Sequence, residues 1–325
     1  MTELLSDRGA PAGADATDAL TAQAQGLTAK PLSPGLLAWR RFRRHKLAMV
    51  SAVVLAVFAV LIFFPSLVSP YGPLERTELR SVGPTWDHPF GTNGIRQDQL
   101  SRVLHGGQIS LQVGVAVALV SATVGSLIGL VAGFYGRWID NLLMRVTDLF
   151  LAIPLIVSLI LLTRLPARHA WAETFMGEEG SVRAIITILA LFFWMPMARI
   201  VRGVVLSLKE KEFVEAARAL GASTPRILFR HLLPNCVGPI IVNVTLSVAA
   251  AVLTESALSF LGFGVESATT PTWGNLLTSA RGQLRTDPHL VWFPGLAIVF
   301  LVLCVNYLGD GLRDALDPRQ TRNKA

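Results

Sequence analysis

Apolar residues gather into six long runs separated by polar joints, near 47–68, 110–134, 142–162, 182–205, 236–261 and 291–308. About 20 helical residues cross the hydrocarbon core of a bilayer, so each run predicts one membrane-spanning helix. Two runs carry polar breaks. The third has Arg145 and Asp148 at its entrance, and the fourth holds Pro196 and ends at Arg199 and Arg202. The expected fold is therefore all-α and polytopic, with six transmembrane helices.

The first run is preceded by Arg40, Arg41, Arg43, Arg44 and Lys46, which predicts a cytoplasmic start. Six spans then put both termini inside, and most of the 29 Lys and Arg fall on that same side. Residues 1–35 are rich in Ala, Thr, Gly and Pro and cannot bury enough surface to offset chain entropy. They are expected to form a disordered cytoplasmic tail, without the short apolar core of a cleavable signal peptide. The remaining organisation reads as the first span with an external loop (36–109), a core transmembrane domain (110–318) and a short cytoplasmic tail (319–325).

Composition agrees with a membrane protein: 52% of the residues are apolar and 16% charged, with a mean hydropathy of +0.50. The net charge of +7 is strung along one side of a membrane, as acidic lipid would favour, and is not gathered for nucleic acid. Cys236 and Cys304 both lie in apolar runs, with no CxxC or His/Cys spacing for a metal. No catalytic residues are indicated: there is no nucleophile elbow and no convergent acid–base pair.

Within the runs, Ser121, Gly125, Gly129 and Gly133 recur at intervals of four and form a ridge that another helix can approach closely. The neighbour could be this chain or a second subunit. Pro154, Pro196, Pro239 and Pro294 are expected to bend their helices. Three polar groups are candidates for lining a path or for pairing between helices, since charges within a bilayer are costly. Glu255 lies toward the outer end of the fifth run, with an arginine as one conceivable partner. Asp148 lies near the inner end of the third, within helical reach of Arg145. Asn306 lies in the last run and, like Asn243, suits interhelix packing.

Between the fourth and fifth runs lies a polar stretch, 206–235. Good helix formers lead to Glu215, Ala216 and Ala217, with Lys211 and Arg218 spaced for local ion pairs. Gly221 stands where a left-handed, helix-ending residue belongs. Thr224 and Pro225 then suit the cap and first turn of a second helix, predicted to stop near Leu233 and Pro234.

This stretch, EAARALGASTPRILFRHLLP from Glu215 to Pro234, resembles the cytoplasmic EAA loop of ABC-type importer permeases, EAA-x3-G-x9-I-x-L-P. His231 stands at the Ile position. Three further segments resemble the C-type permease of dipeptide, oligopeptide and nickel importers. HPFGTNGIRQDQLSR (88–102) is similar to HP-x-GTD-x-x-GRD-x-x-SR, with Asn93 for the usual Asp and Arg96-Gln97 for Gly-Arg; Asp98, Ser101 and Arg102 are kept. ESALSFLGFG (255–264) with PTWG (271–274), and NYLGDGLRDALDPR (306–319), complete the match.

The resemblance implies a type I, MetI-like permease fold in the inner membrane of a prokaryote. It implies a homologous B-type permease as partner, two cytoplasmic ATPases that bind ATP and Mg, and an extracytoplasmic solute-binding protein. Glu215 through Gly221 would dock into the ATPase. No GxxxxGK[ST] loop occurs here, so ATP hydrolysis is assigned to other subunits and no cofactor to this one. A short peptide is the expected cargo, with nickel complexes or other small solutes as alternatives. An ion-coupled transporter acting alone would want deep charged pairs and internal repeats. A scaffold or receptor would leave the EAA-type loop unexplained.

Overall fold

The computed structural model describes residues 34–316 apart from 166, 167, 179 and 267. The tails expected at 1–35 and 319–325 thus lie outside the described residues, except 34 and 35, which open a helix. That helix, α1 (Pro34–Arg44), carries basic residues in its last turn. His45 separates it from α2 (Lys46–Phe63) and caps it, Nδ1 accepting the Ala48 N–H at 3.1 Å.

α3 (Gln99–Tyr135) begins well before the apolar run that announced it. Asp98 is the reason: its Oδ2 accepts the Ser101 N–H at 2.7 Å and starts the helix in polar sequence. At 1.5 Å per residue, α3 is about 55 Å long and overshoots a hydrocarbon core of roughly 30 Å.

The third apolar run is two helices, α4 (Arg137–Ala152) and α5 (Leu155–Thr163), bent by 84°. The residue before a proline is pushed out of the helical region, and Ile153 accordingly sits extended ahead of Pro154. After the short α6 (Ala170–Met176) come α7 (Val182–Leu208), α8 (Glu212–Ala219), α9 (Leu233–Phe260), α10 (Trp273–Ala280) and α11 (His289–Leu316). Pro196, Pro239 and Pro294 lie inside helices that continue past them. Among the described residues, five helices are long and apolar enough to span a membrane, and six if the bent pair counts as one.

α3 and α7 are the closest-packed pair. A β-carbon added at Gly125 would stand 2.5 Å from the Trp194 carbonyl oxygen, and one at Gly129 2.4 Å from that of Ala198. At Gly133 it would meet Val205 Cβ at 2.8 Å. The small-residue ridge is thus occupied by α7 of the same chain. α9 packs on α3 and α11, and α2 and α1 lie against α11. Three larger apolar cores fill the bundle, one including Ile188 and Leu189, one Trp273 and Ile298, and one Val201 and Leu232.

At the end of the bundle away from α8, residues 64–98 wrap over the start of α3. His88 Nδ1 meets Asp98 Oδ1 at 2.8 Å, both side chains buried. The departures from the family segment are accommodated here. Asn93 Nδ2 donates to Gln97 Oε1 at 3.2 Å, an amide pair where the pattern has Asp and Arg. Arg96, at the usual glycine position, has φ +70.

Candidate functional site

The loop between α7 and α9 rests on a small apolar base. Val214 and Ala217 are the buried side chains of α8, and Val214 joins Leu130, Val201, Val205, Ile227, Leu228 and Leu232 in one core. The 3.6-residue period then turns Glu215, Ala216 and Ala219 outward, all exposed. Glu212 and Glu215 in the first turn suit the positive end of the helix dipole. Arg218 lies over the Phe134 ring, 5.6 Å from its centroid, tying α8 to the end of α3 in place of the ion pair that spacing had suggested.

Gly221 closes α8 with φ +76, as its position in the sequence predicts. The Gly221 N–H donates to the Arg218 carbonyl at 2.9 Å and the Ala222 N–H to the Ala217 carbonyl at 3.0 Å. These two bonds form a Schellman closure. Ser223, not Thr224, is the cap of the next turn, with Thr224 and Pro225 as its first helical residues.

The second helix does not stop at Pro234. A π-helical stretch, Ile227–Leu232, feeds directly into α9. Pro234 is exposed in the first turn of α9, where its missing N–H is tolerated because the register is already loosened. Leu233 bonds to Leu228, five residues back, and the Asn235 Nδ2 donates to the His231 carbonyl at 2.6 Å. Glu215, Ala216, Ala217 and Gly221 therefore share one compact unit, whereas Leu233 and Pro234 form the root of a membrane helix.

Sequence reading passed over the apolar rim of this unit. Leu220 is 88% exposed, and Phe213 and Phe229 are also open. The outward face thus combines Glu212 and Glu215 with small residues and apolar edges, a surface suited to seating in a groove on another protein. The available signal was a leucine directly before the helix-closing glycine, a position with little to pack against.

The other polar candidates fall in three separate places. Glu255 is fully buried and accepts from Ser259 Oγ at 2.7 Å and from Ser110 Oγ of α3 at 3.2 Å; no arginine faces it among the described residues. Ser110 Oγ also accepts the Trp273 N–H at 3.3 Å, so this carboxylate links α9, α3 and α10. Asp148 pairs with Arg199 on α7 and not with Arg145 on its own helix, because α4 turns that face toward α7. Asn306 is exposed on α11. A further pair went unread in the sequence: Arg202 grips both oxygens of Asp140, Nη2 to Oδ2 at 2.6 Å, fixing α4 to α7 near the loop.

Residues 125–322 match the family described as binding-protein-dependent transport system inner membrane component. Residues 33–81 match the N-terminal transmembrane domain of oligopeptide transport permease C. The chain is 38% identical to the dipeptide transport system permease protein DppC of Alkalihalophilus pseudofirmus, over 89% of this chain and 91% of that one. It is 39% identical to the glutathione transport system permease protein GsiD of Escherichia coli, over 86% and 89%. Among solved structures, the inward-facing MetNI methionine ABC transporter aligns with a TM-score of 0.53 at 18% identity, covering 66% of this chain and 96% of that one, a likeness of fold.

Proposed function

Because the chain belongs to the family of binding-protein-dependent transport inner membrane components, we propose that it is the C-type permease subunit of an ATP-driven importer of short peptides. It is a multi-pass membrane permease of the MetI-like fold. The peptide assignment draws on the relatives, which are named for dipeptide and glutathione transport. Nickel complexes and other small solutes are the alternative cargo.

The observation that carries the mechanism is the exposed face of α8 standing on a closed glycine turn and rooted in two membrane helices. In this reading Glu215, Ala216 and Leu220 dock into a cytoplasmic ATPase, and Gly221 keeps the unit compact. ATP-driven closure of two such ATPases pushes the loop, and α7 and α9 carry the displacement into the membrane. ATP and Mg belong to those subunits. A homologous B-type permease completes the path, an extracytoplasmic binding protein delivers the solute, and both termini of this chain lie in the cytoplasm.

The test is mass spectrometry of what copurifies with the tagged full chain in mild detergent. Recovery of a second permease and ATPases, with ATPase retention lost in Glu215→Lys, supports the assignment. A chain recovered alone that transports in vesicles without ATP would overturn it.

A further inference from the structure

Arg102 sits in the first turn of α3, at the end of the bundle opposite the α8 loop, and is 5% exposed. Its guanidinium makes no hydrogen bond and no ion pair among the described residues, and its Nε is sealed from solvent without a partner. A buried charge in that condition is costly. The acid one helical turn before it is already committed: Asp98 accepts from the Ser101 N–H, pairs with His88 and takes the Ser69 hydroxyl at 3.4 Å. The chain thus holds a cation in place and spends the neighbouring carboxylate elsewhere.

Arg102 lines a cavity of about 380 Å³ together with Arg80, Asn93, Gln99, Ser279 and Gln283. Among the described residues, no acidic side chain lines it. Volumes of a few hundred Å³ accommodate small ligand groups. A guanidinium presents a planar fork of donors that matches the two oxygens of a carboxylate. Arg80 adds a second cation, and the amides of Asn93 and Gln283 add neutral polar groups around it.

We propose that this cavity is a carboxylate-binding site in which Arg102 is the buried cationic ligand and Arg80 the second. The inference rests on the transport reading only in taking this face as the external one, where the carboxylate comes either from a free solute or from an acidic side chain of the docking binding protein. The missing counterion of Arg102 is then supplied at the moment of contact.

The test is the melting temperature of the full chain in its detergent-extracted complex, by intrinsic fluorescence, in sodium acetate against sodium chloride at equal ionic strength. Ligand that binds only the folded state raises that temperature. Acetate is expected to raise it in the parent and not in Arg102→Gln, which in chloride should melt no lower than the parent. Arg102→Lys should keep part of the increment. An equal increment in Arg102→Gln, no increment in the parent, or a lower melting temperature of Arg102→Gln in chloride would each overturn the site.

Two further conditions separate the sources. If glycylglycine raises the melting temperature and glycylglycine amide does not, the carboxylate belongs to a solute. If glycylglycine has no effect and prior docking of the binding protein abolishes the acetate increment, it belongs to that protein. The readout needs neither ATP nor transport. Failure here leaves the copurification result intact, and failure there leaves this one interpretable.

Discussion

Asn93 and Gln97 hold each other through an amide contact of 3.2 Å at two positions where the family pattern places Asp and Arg. Both side chains are buried, and Asn93 Oδ1 also accepts the N–H groups of Ile95 and Gln97. The two departures therefore meet in one contact, a neutral amide pair at positions where the pattern carries opposite charges. Gln97→Arg alone should destabilise by placing a buried guanidinium beside a neutral amide. Adding Asn93→Asp should recover much of the loss, with a coupling of about 0.5–3 kcal/mol in a double-mutant cycle on thermal stability. Purely additive effects would show that the two positions are energetically independent.

Arg96→Gly should stabilise the same turn. Arg96 has φ +70, and a non-glycine residue there costs roughly 1–2 kcal/mol. The gain is offset in part by the greater freedom of glycine in the unfolded chain. A rise in melting temperature checks the expectation, and a fall would mean that the arginine side chain contributes more than its backbone costs.

Gly221 is constrained by its backbone and not by crowding: nothing lies within 4 Å of a β-carbon placed there. Gly221→Val should leave the membrane bundle intact but distort the closure of α8, at a local cost of about 1–2 kcal/mol or more. Gly221→Asn should be milder, since asparagine tolerates the left-handed region. Uptake in membrane vesicles, normalised to inserted protein, ranks the two. Full activity of Gly221→Val would refute the turn as drawn.

Gly129→Ala tests the α3–α7 contact. The new methyl would fall 2.4 Å from the Ala198 carbonyl oxygen and 2.9 Å from the Arg202 nitrogen, both backbone atoms of α7, so the helices must separate. Overpacking of this kind costs roughly 1–3 kcal/mol. Gly203→Ala, on α7 with open space around it, is the matched control and should be neutral or slightly stabilising. Aggregation temperature in detergent compares them directly.

The two ion pairs that fasten α4 to α7 should differ in strength. Asp140 and Arg202 share two contacts, with side chains 12% and 33% exposed, whereas Asp148 and Arg199 are about half exposed. Charge-assisted bonds contribute about 1.5–3 kcal/mol and exposed pairs about 0–1. Double-mutant cycles should therefore give the larger coupling at Asp140–Arg202. The reverse order would mean that the membrane or a partner subunit shields the Asp148 pair.

Long apolar runs made the spanning helices legible, because length and hydropathy alone decide what a bilayer accepts. They could not reveal the polar start of α3, which depends on a cap at Asp98 and not on lipid. The sharp break at Pro154 was visible as a proline but not as two helices, since three other prolines are absorbed without interruption. Gly221 was readable because only one backbone shape suits it. The partners of Asp148 and Asp140 lie on α7, far along the chain, and spacing within a helix says nothing about such contacts. Leu220 escaped because exposure is a property of the folded surface.

The six-residue π-helical stretch from Ile227 to Leu232 has a consequence for how the loop and the fifth span share an axis. Each residue of an α-helix advances the azimuth by about 100°, and a π-turn holds one residue more than an α-turn does. The stretch therefore works as a phase offset. The side of α9 that presents Glu255 to Ser110 is rotated relative to the side an uninterrupted α-helix counted from Thr224 would present. Removing one residue between Ile227 and Leu232 would straighten the winding and bring the loop and the span into a single phase, reorienting one against the other while every residue outside the stretch stayed the same.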